Sequence, residues 1–185
     1  MRAPTTKISD FKIHYKQTIL NIFDVVGQKE GRKAWIHFLE SEISSIIFVS
    51  SIAAYDQTMD EDSSKNVMED SMDLFHEIAN NPFLEDIPII LLLNKMDLFE
   101  QQIEFSSIST HFPDFEGNLY LNLEAQTLER SKNFFMRKFQ DLLIDDDRAF
   151  FTHFTTNIDS KVTTVLIPLI FQIIIENNIK AFGII

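Results

Sequence analysis

No cysteine occurs anywhere in the 185 residues, which excludes a disulfide framework, a zinc–thiolate site and an acylated thiol within them. A reducing, cytoplasmic setting fits that composition. Glycine is nearly as scarce, with four residues, and no G-x-x-x-x-G-K-[ST] segment is present. These residues therefore hold no glycine-rich loop of the kind that cradles phosphates. Basic residues are few: 16 Lys and Arg face 28 Asp and Glu, for a formal charge of −12. So acidic a chain lacks the electrostatic footprint expected for nucleic acid or for an anionic lipid surface. Long apolar runs are missing as well. The longest, Val165 to Ile175, is interrupted by Gln172 and falls short of the roughly 18 residues a membrane span needs. The first residues, Met1-Arg2-Ala3-Pro4, carry neither a secretory apolar core nor a glycine at position two, so no leader or lipid anchor is expected from them.

Hydrophobic residues make up 45% of the chain, enough for one domain with a sizeable core. Short β-rich runs alternate with segments of helical period, which predicts an α/β sheet with crossover helices. Phe11 to Tyr15 and Ile19 to Phe23 alternate in polarity around Lys16-Gln17-Thr18, predicting an antiparallel hairpin of edge strands. Ile46 to Ser50 and Ile89 to Leu93 are almost continuously apolar, as central strands covered on both faces tend to be. Between them Met68, Met72, Phe75 and Ala79 fall at helical spacing, widened by Val67, Leu74 and Ile78. Leu128, Phe135, Phe139 and Leu142 predict another helix, closed by Asp145-Asp146-Asp147 before a short strand at Phe150 to Phe154. A last helix is expected from Lys161 to Asn177, where Pro168 removes a backbone donor and should kink it or shift its start. The polar stretch Asp56 to Asn66 reads as a solvated loop.

Three constellations stand where strands end, the place at which open α/β sheets bind ligands. Asn94-Lys95-Met96-Asp97 follows the apolar strand ending at Leu93 and fits an N-K-x-D pattern. A carboxylate at Asp97 can accept from both the ring N–H and the exocyclic amine of guanine, while the Lys95 stem packs along the base and Asn94 braces the loop. The plain alternative is a polar turn. Asp24-Val25-Val26-Gly27-Gln28 follows the second hairpin strand and fits D-x-x-G. Gly27 lets a backbone N–H approach a phosphate closely, and Asp24 can hold magnesium through its water shell; a helix-capping turn is the alternative. Arg2-Ala3-Pro4-Thr5 supplies a guanidinium and a hydroxyl, against which stands an ordinary frayed terminus.

Gly31-Arg32-Lys33-Ala34-Trp35-Ile36-His37-Phe38, basic and aromatic on an acidic protein, closely resembles the switch II helix of heterotrimeric G-protein alpha subunits. Further stretches resemble the same family in the same order: Ile43 to Asp56, Asn80-Asn81, Thr152-His153-Phe154-Thr155 and Ile174 to Gly183. That resemblance implies a three-layer, Ras-like P-loop GTPase fold over residues 1–185, lacking the strand that leads into the phosphate loop. It implies GTP or GDP and magnesium as ligands, with Arg2 and Gln28 promoting hydrolysis and Thr5 and Asp24 holding the metal. Nucleotide contacts are implied for Arg2, Ala3, Pro4, Thr5, Asp24, Val25, Val26, Gly27, Gln28, Asn94, Lys95, Met96, Asp97, Thr156 and Asn157. Implied partners are a beta-gamma dimer at Lys33, Trp35 and Phe38, and a G-protein-coupled receptor at the carboxy-terminal helix. The whole protein is then expected at the inner face of the membrane, without crossing it. His153 is expected to be structural.

Several positions depart from that family pattern. Val26 stands for the first of two switch II glycines, Lys7 for a glycine after switch I, and Asn157 for the alanine whose N–H meets guanine. No cysteine lies four residues from the end, so that thiol cannot be ADP-ribosylated by pertussis toxin. With the phosphate loop and its central strand missing from these residues, either the sequence starts downstream of them or the flanking strands pair directly. An open gap would leave two rows of unpaired backbone groups and marginal stability. A nucleotide-free module that docks beta-gamma or receptor is the second functional reading.

Overall fold

A computed structural model describes residues 9–15, 18–25, 43–60, 62–115, 127–156, 168 and 170–172. The chain divides into two compact units, Met1–Ile43 and Ser44–Ile185. In the first, strand β1 (Ser9–Tyr15) pairs antiparallel with β2 (Thr18–Asp24), as expected from the alternating polarity. Thr18 pairs with Tyr15 and so belongs to the strand rather than to the turn assigned to it by sequence.

The second unit holds a parallel sheet of β3 (Ile46–Ser51), β4 (Ile89–Asn94) and β5 (Phe150–Phe154) in the order β3-β4-β5. Each parallel pair requires a crossover. Helix α1 (Val67–Ala79) runs between β3 and β4, and helices α2 (Met96–Gln102), α3 (Ile108–His111) and α4 (Leu128–Gln140) lie between β4 and β5. The side-chain alternation of the strands builds two layers on the sheet. Phe48, Ile89, Leu91, Leu93, Phe150 and Phe154 face a core shared with Met68, Met72 and Phe75 of α1 and Phe135 and Phe139 of α4. Ile47, Ile90, Leu92 and Phe151 turn the other way and pack with Ile170. Pro168 and residues 170–172 are helical, so helical structure covers this second face and the α/β sandwich has three layers.

The helical stripe read from sequence is the buried one: Met68, Met72, Phe75 and Ala79 are the buried residues of α1. Its start is set by Asn66, whose side-chain oxygen accepts from the Met68 and Glu69 amides while its amide nitrogen donates to the Tyr55 carbonyl. Thr127 caps α4 in the same manner, through the Arg130 amide.

Two expectations are corrected. The strand Ile46 to Ser50 is not central in the described sheet; it is an outer strand, and Val49 is 58% exposed on the less covered face. An uninterrupted apolar run cannot distinguish an outer strand with one open side from an inner one. The helix expected to reach Leu142 ends at Gln140, because the next amides, of Leu142 and Leu143, bond only three residues back to Phe139 and Gln140 as both side chains turn in against the core. The described strands form two sheets, β1-β2 in the first unit and β3-β4-β5 in the second.

At the end of the sheet where β4 and β5 begin, Arg148 is buried, with its guanidinium donating to the carbonyls of Ala79, Leu84 and Ile87. Asn80 ties the same corner together, donating to the carbonyls of His76 and Leu142 and accepting from the Ile144 amide. Arg148 thus satisfies the orphan Ala79 carbonyl at the end of α1 and two further carbonyls in the segment leading to β4.

Candidate functional site

The Asn94-Lys95-Met96-Asp97 turn leaves the carboxyl end of β4 and enters α2. It is pinned from β5: the Thr155 amide donates to the Leu93 carbonyl at 2.9 Å, and the Met96 amide donates to the Thr155 carbonyl at 3.1 Å. The Thr155 hydroxyl, itself buried, donates to the Asn94 side-chain oxygen at 3.0 Å. Asn94 is thus tied to the segment after β5, and Thr155 is the residue that holds it.

Lys95 adopts φ 66° and ψ 40°, the one positive φ at a non-glycine residue among the described residues. A left-handed lysine costs roughly 1–2 kcal/mol against the right-handed alternative. Such strain persists only where the surroundings over-determine it, and it clusters at ligand-binding turns. Here the Lys95 carbonyl accepts from the amides of Leu98 and Phe99, and the next amide is held by Thr155. The side chain of Lys95 is exposed while Asp97 is half-buried in the first turn of α2, where the helix dipole favours a carboxylate.

Aromatic packing supports the turn from beneath. Phe99 of α2 is fully buried, edge-on to Tyr55 at 5.7 Å and to Phe135 at 5.9 Å between ring centroids. The Tyr55 hydroxyl donates to the Ser106 carbonyl at 2.7 Å, and burial pushes its pKa up to about 12. These contacts fix α2 against the segment after β3 and hold the Asn94-Lys95-Met96-Asp97 turn on a rigid support.

Other implied site residues are distributed unevenly. Thr156 is exposed, one residue beyond Thr155, on the same side of the sheet as Asn94. Asp24 ends β2 and is exposed, with Val25 half-buried after it. Arg2, Ala3, Pro4, Thr5, Val26, Gly27, Gln28 and Asn157 lie outside the described residues, as do Lys33, Trp35 and Phe38 and most of the carboxy-terminal helix. Among the described residues no group of three or more His, Asp or Glu side chains could hold a metal ion. The implied magnesium ligands, one threonine hydroxyl and one carboxylate, are the hard oxygen donors this ion takes while keeping water and phosphate in its remaining positions. Among the described residues no helix is long and apolar enough to cross a membrane.

Thr155 was legible only in part: its loop is marked by neighbouring Thr156, but nothing local singles out its hydroxyl as the brace. His153, expected to be structural, lies within β5, paired in register with Leu92. Its buried Nε2 has no hydrogen-bond partner among the described residues, and burial lowers its pKa.

Comparison with known proteins agrees with this geometry. A family model described as the G-protein alpha subunit matches residues 1–174. The guanine nucleotide-binding protein alpha-3 subunits of Caenorhabditis elegans and Caenorhabditis briggsae are each 35% identical over 182 residues, covering 98% of this chain and 49% of theirs. The chain thus spans about half the length of the curated relatives it matches. With a parallel sheet, an N-K-x-D turn locked at its carboxyl end and a family match over nearly all its length, this chain belongs to the G-protein alpha subunit family.

Proposed function

We propose that this chain forms the base-reading and switch portion of a guanine-nucleotide switch that acts in receptor signalling. The observation that carries this reading is the strained, left-handed Lys95 turn, braced by Thr155 between a buried strand and the helix bearing Asp97. In it Asp97 would accept from the guanine ring N–H and exocyclic amine, the Lys95 stem would cover one face of the base, and Thr156 and Asn157 are the further nucleotide contacts proposed from the segment after β5. GTP and magnesium supply the reactive phosphoanhydride and its charge neutralisation. Asp24 and Thr5 would hold the metal, Gly27 meets the terminal phosphate, Gln28 orients water, and Arg2 neutralises developing charge. The segment around Lys33, Trp35 and Phe38 is proposed to exchange a beta-gamma dimer for other partners, and the carboxy-terminal helix to meet a receptor at the inner membrane face.

Titration with a fluorescent GTP analogue tests the first part. Saturable, magnesium-dependent binding that guanine but not adenine nucleotides displace, and that Asp97→Ala abolishes, is the expected result. Binding that ignores the base, or survives Asp97→Ala unchanged, overturns it.

A nucleotide-free docking module is the second reading, supported by the departures from the family pattern at Lys7, Val26 and Asn157. It predicts complex formation with purified beta-gamma dimer that neither GTP analogue nor magnesium alters.

A further inference from the structure

An open cleft of about 510 Å³ lies beside α4, lined by Asp114, Phe115, Arg130, Asn133, Phe134 and Arg137. It shares no residue with the nucleotide constellation. From these lining residues we propose that it is a separate binding site for a small planar organic dianion, an aryl phosphate in chemical class.

Arg130, Asn133 and Arg137 recur at three- and four-residue spacing and so occupy one face of α4, with the two arginine Cα atoms about 10 Å apart along the axis. Their long side chains can converge on one anionic group near Asn133, each offering the paired donors that suit phosphate oxygens. Phe115 and Phe134 supply an apolar wall, with their rings edge-on at 5.0 Å, and Arg130 already lies 5.7 Å over the Phe115 ring. Phe115 is itself buried, so a flat ring would lie against half-buried Phe134 and meet the Arg130 guanidinium at its edge.

Helix stability accounts for only one of these cations. Arg137 stands in the last turn of α4, where a positive charge complements the helix dipole. Arg130 stands in the first turn, where the dipole disfavours it; neither guanidinium has an ion-pair partner among the described residues. Asp114, the one carboxylate in the lining, is held 2.5 Å from Lys138 Nζ, and Glu129 is taken by Lys132 at 2.6 Å. On a protein of net charge −12, the cleft is left locally cationic, and its volume is that of a small-molecule site.

The probe is 1-naphthyl phosphate, titrated into the 185-residue chain and followed by its fluorescence and by the amide resonances of α4. Expected is saturation at about 1 mM or below, with Arg130→Gln and Arg137→Gln each weakening it roughly tenfold, as loss of a charge-assisted hydrogen bond would. The neutral analogue 1-naphthylmethanol should bind at least about tenfold more weakly for the same reason. Excess GTP analogue should leave the affinity unchanged. Absence of saturation, equal binding of the neutral analogue, affinity indifferent to both arginine substitutions, or displacement by GTP analogue each overturns the proposal. Both arginines are exposed, so the Arg130→Gln melting curve should match the parent's and that of Arg137→Gln, which loses a charge favourable to the helix dipole, should lie slightly below it; a variant that unfolds is replaced by Asn133→Asp, which adds a repelling charge at the same place.

Discussion

Thr155 and Asn94 are hydrogen-bonded through their side chains at 3.0 Å, so the last residue of the central strand is held by the residue that follows its neighbour. Replacing Thr155 with valine keeps the shape and removes the donor. Stability should fall by about 1 kcal/mol, the usual net worth of such a bond. The fluorescent GTP analogue should bind several-fold more weakly, because Asn94 then lacks its brace. A denaturant curve and a nucleotide titration on the same variant check the two effects separately.

Lys95→Gly should move the same two readouts in opposite directions. Glycine adopts φ 66° without a Cβ clash, so the variant should gain about 0.5–1 kcal/mol after its greater unfolded-state entropy is set against the relieved strain. Nucleotide affinity should drop, since the stem proposed to cover the base is gone. Glycine substitution that destabilises the fold would show that the turn is not strained.

Acid should weaken the fold through His153. Burial lowers its folded pKa below the ordinary 6.5, so on acidification the unfolded chain takes up this proton first. The linked stability is therefore complete above pH 6.5 and declines as pH falls below that value, until the folded form also protonates. Melting temperatures from pH 8 to pH 5 should fall less for His153→Leu than for the parent chain. An identical pH dependence in both would remove His153 from the explanation.

Phe135 lies at the crossing of the aromatic network, within 5.1–5.9 Å of Phe134, Phe112, Phe99 and Tyr55 between centroids. Phe135→Ala should cost about 3–5 kcal/mol. Against a total of roughly 5–15 kcal/mol for a domain, such a loss should leave the chain largely unfolded at 37 °C, measurable by circular dichroism.

Among the described residues, outer strand β3 carries a ladder on one side only, and its own Val49 is exposed on a face of the sheet. A chain with that open edge is expected to melt below about 45 °C, the lower bound of ordinary mesophilic domains. A single sharp transition above about 65 °C would contradict it.

What was legible from sequence is what local periodicity encodes. The α1 stripe of Met68, Met72, Phe75 and Ala79 needed only the 3.6-residue repeat, and Ile89 to Leu93 needed only an unbroken apolar run. Ile46 to Ser50 looked the same, yet it is an outer strand, because which strand sits beside it is a long-range property absent from its own residues. The N-K-x-D turn was legible as a motif, but its backbone state was not: lysine carries no preference for the left-handed region, and the constraint comes from Thr155, some 60 residues along. Arg148 gave no signal for the same reason, since its acceptors lie 61–69 residues away.

Arg148 also determines which part of this molecule should be indifferent to electrolyte. Its partners are peptide dipoles in a buried corner, not mobile carboxylates, so counterions have little access to them. The Lys65 contacts with Asp70 and Asp73 at 2.7 and 2.9 Å sit where ions reach them freely. Raising ionic strength should thus loosen the approach to α1 from its beginning while its far end stays fastened, so fraying of this crossover helix in brine should start from the Asn66 side.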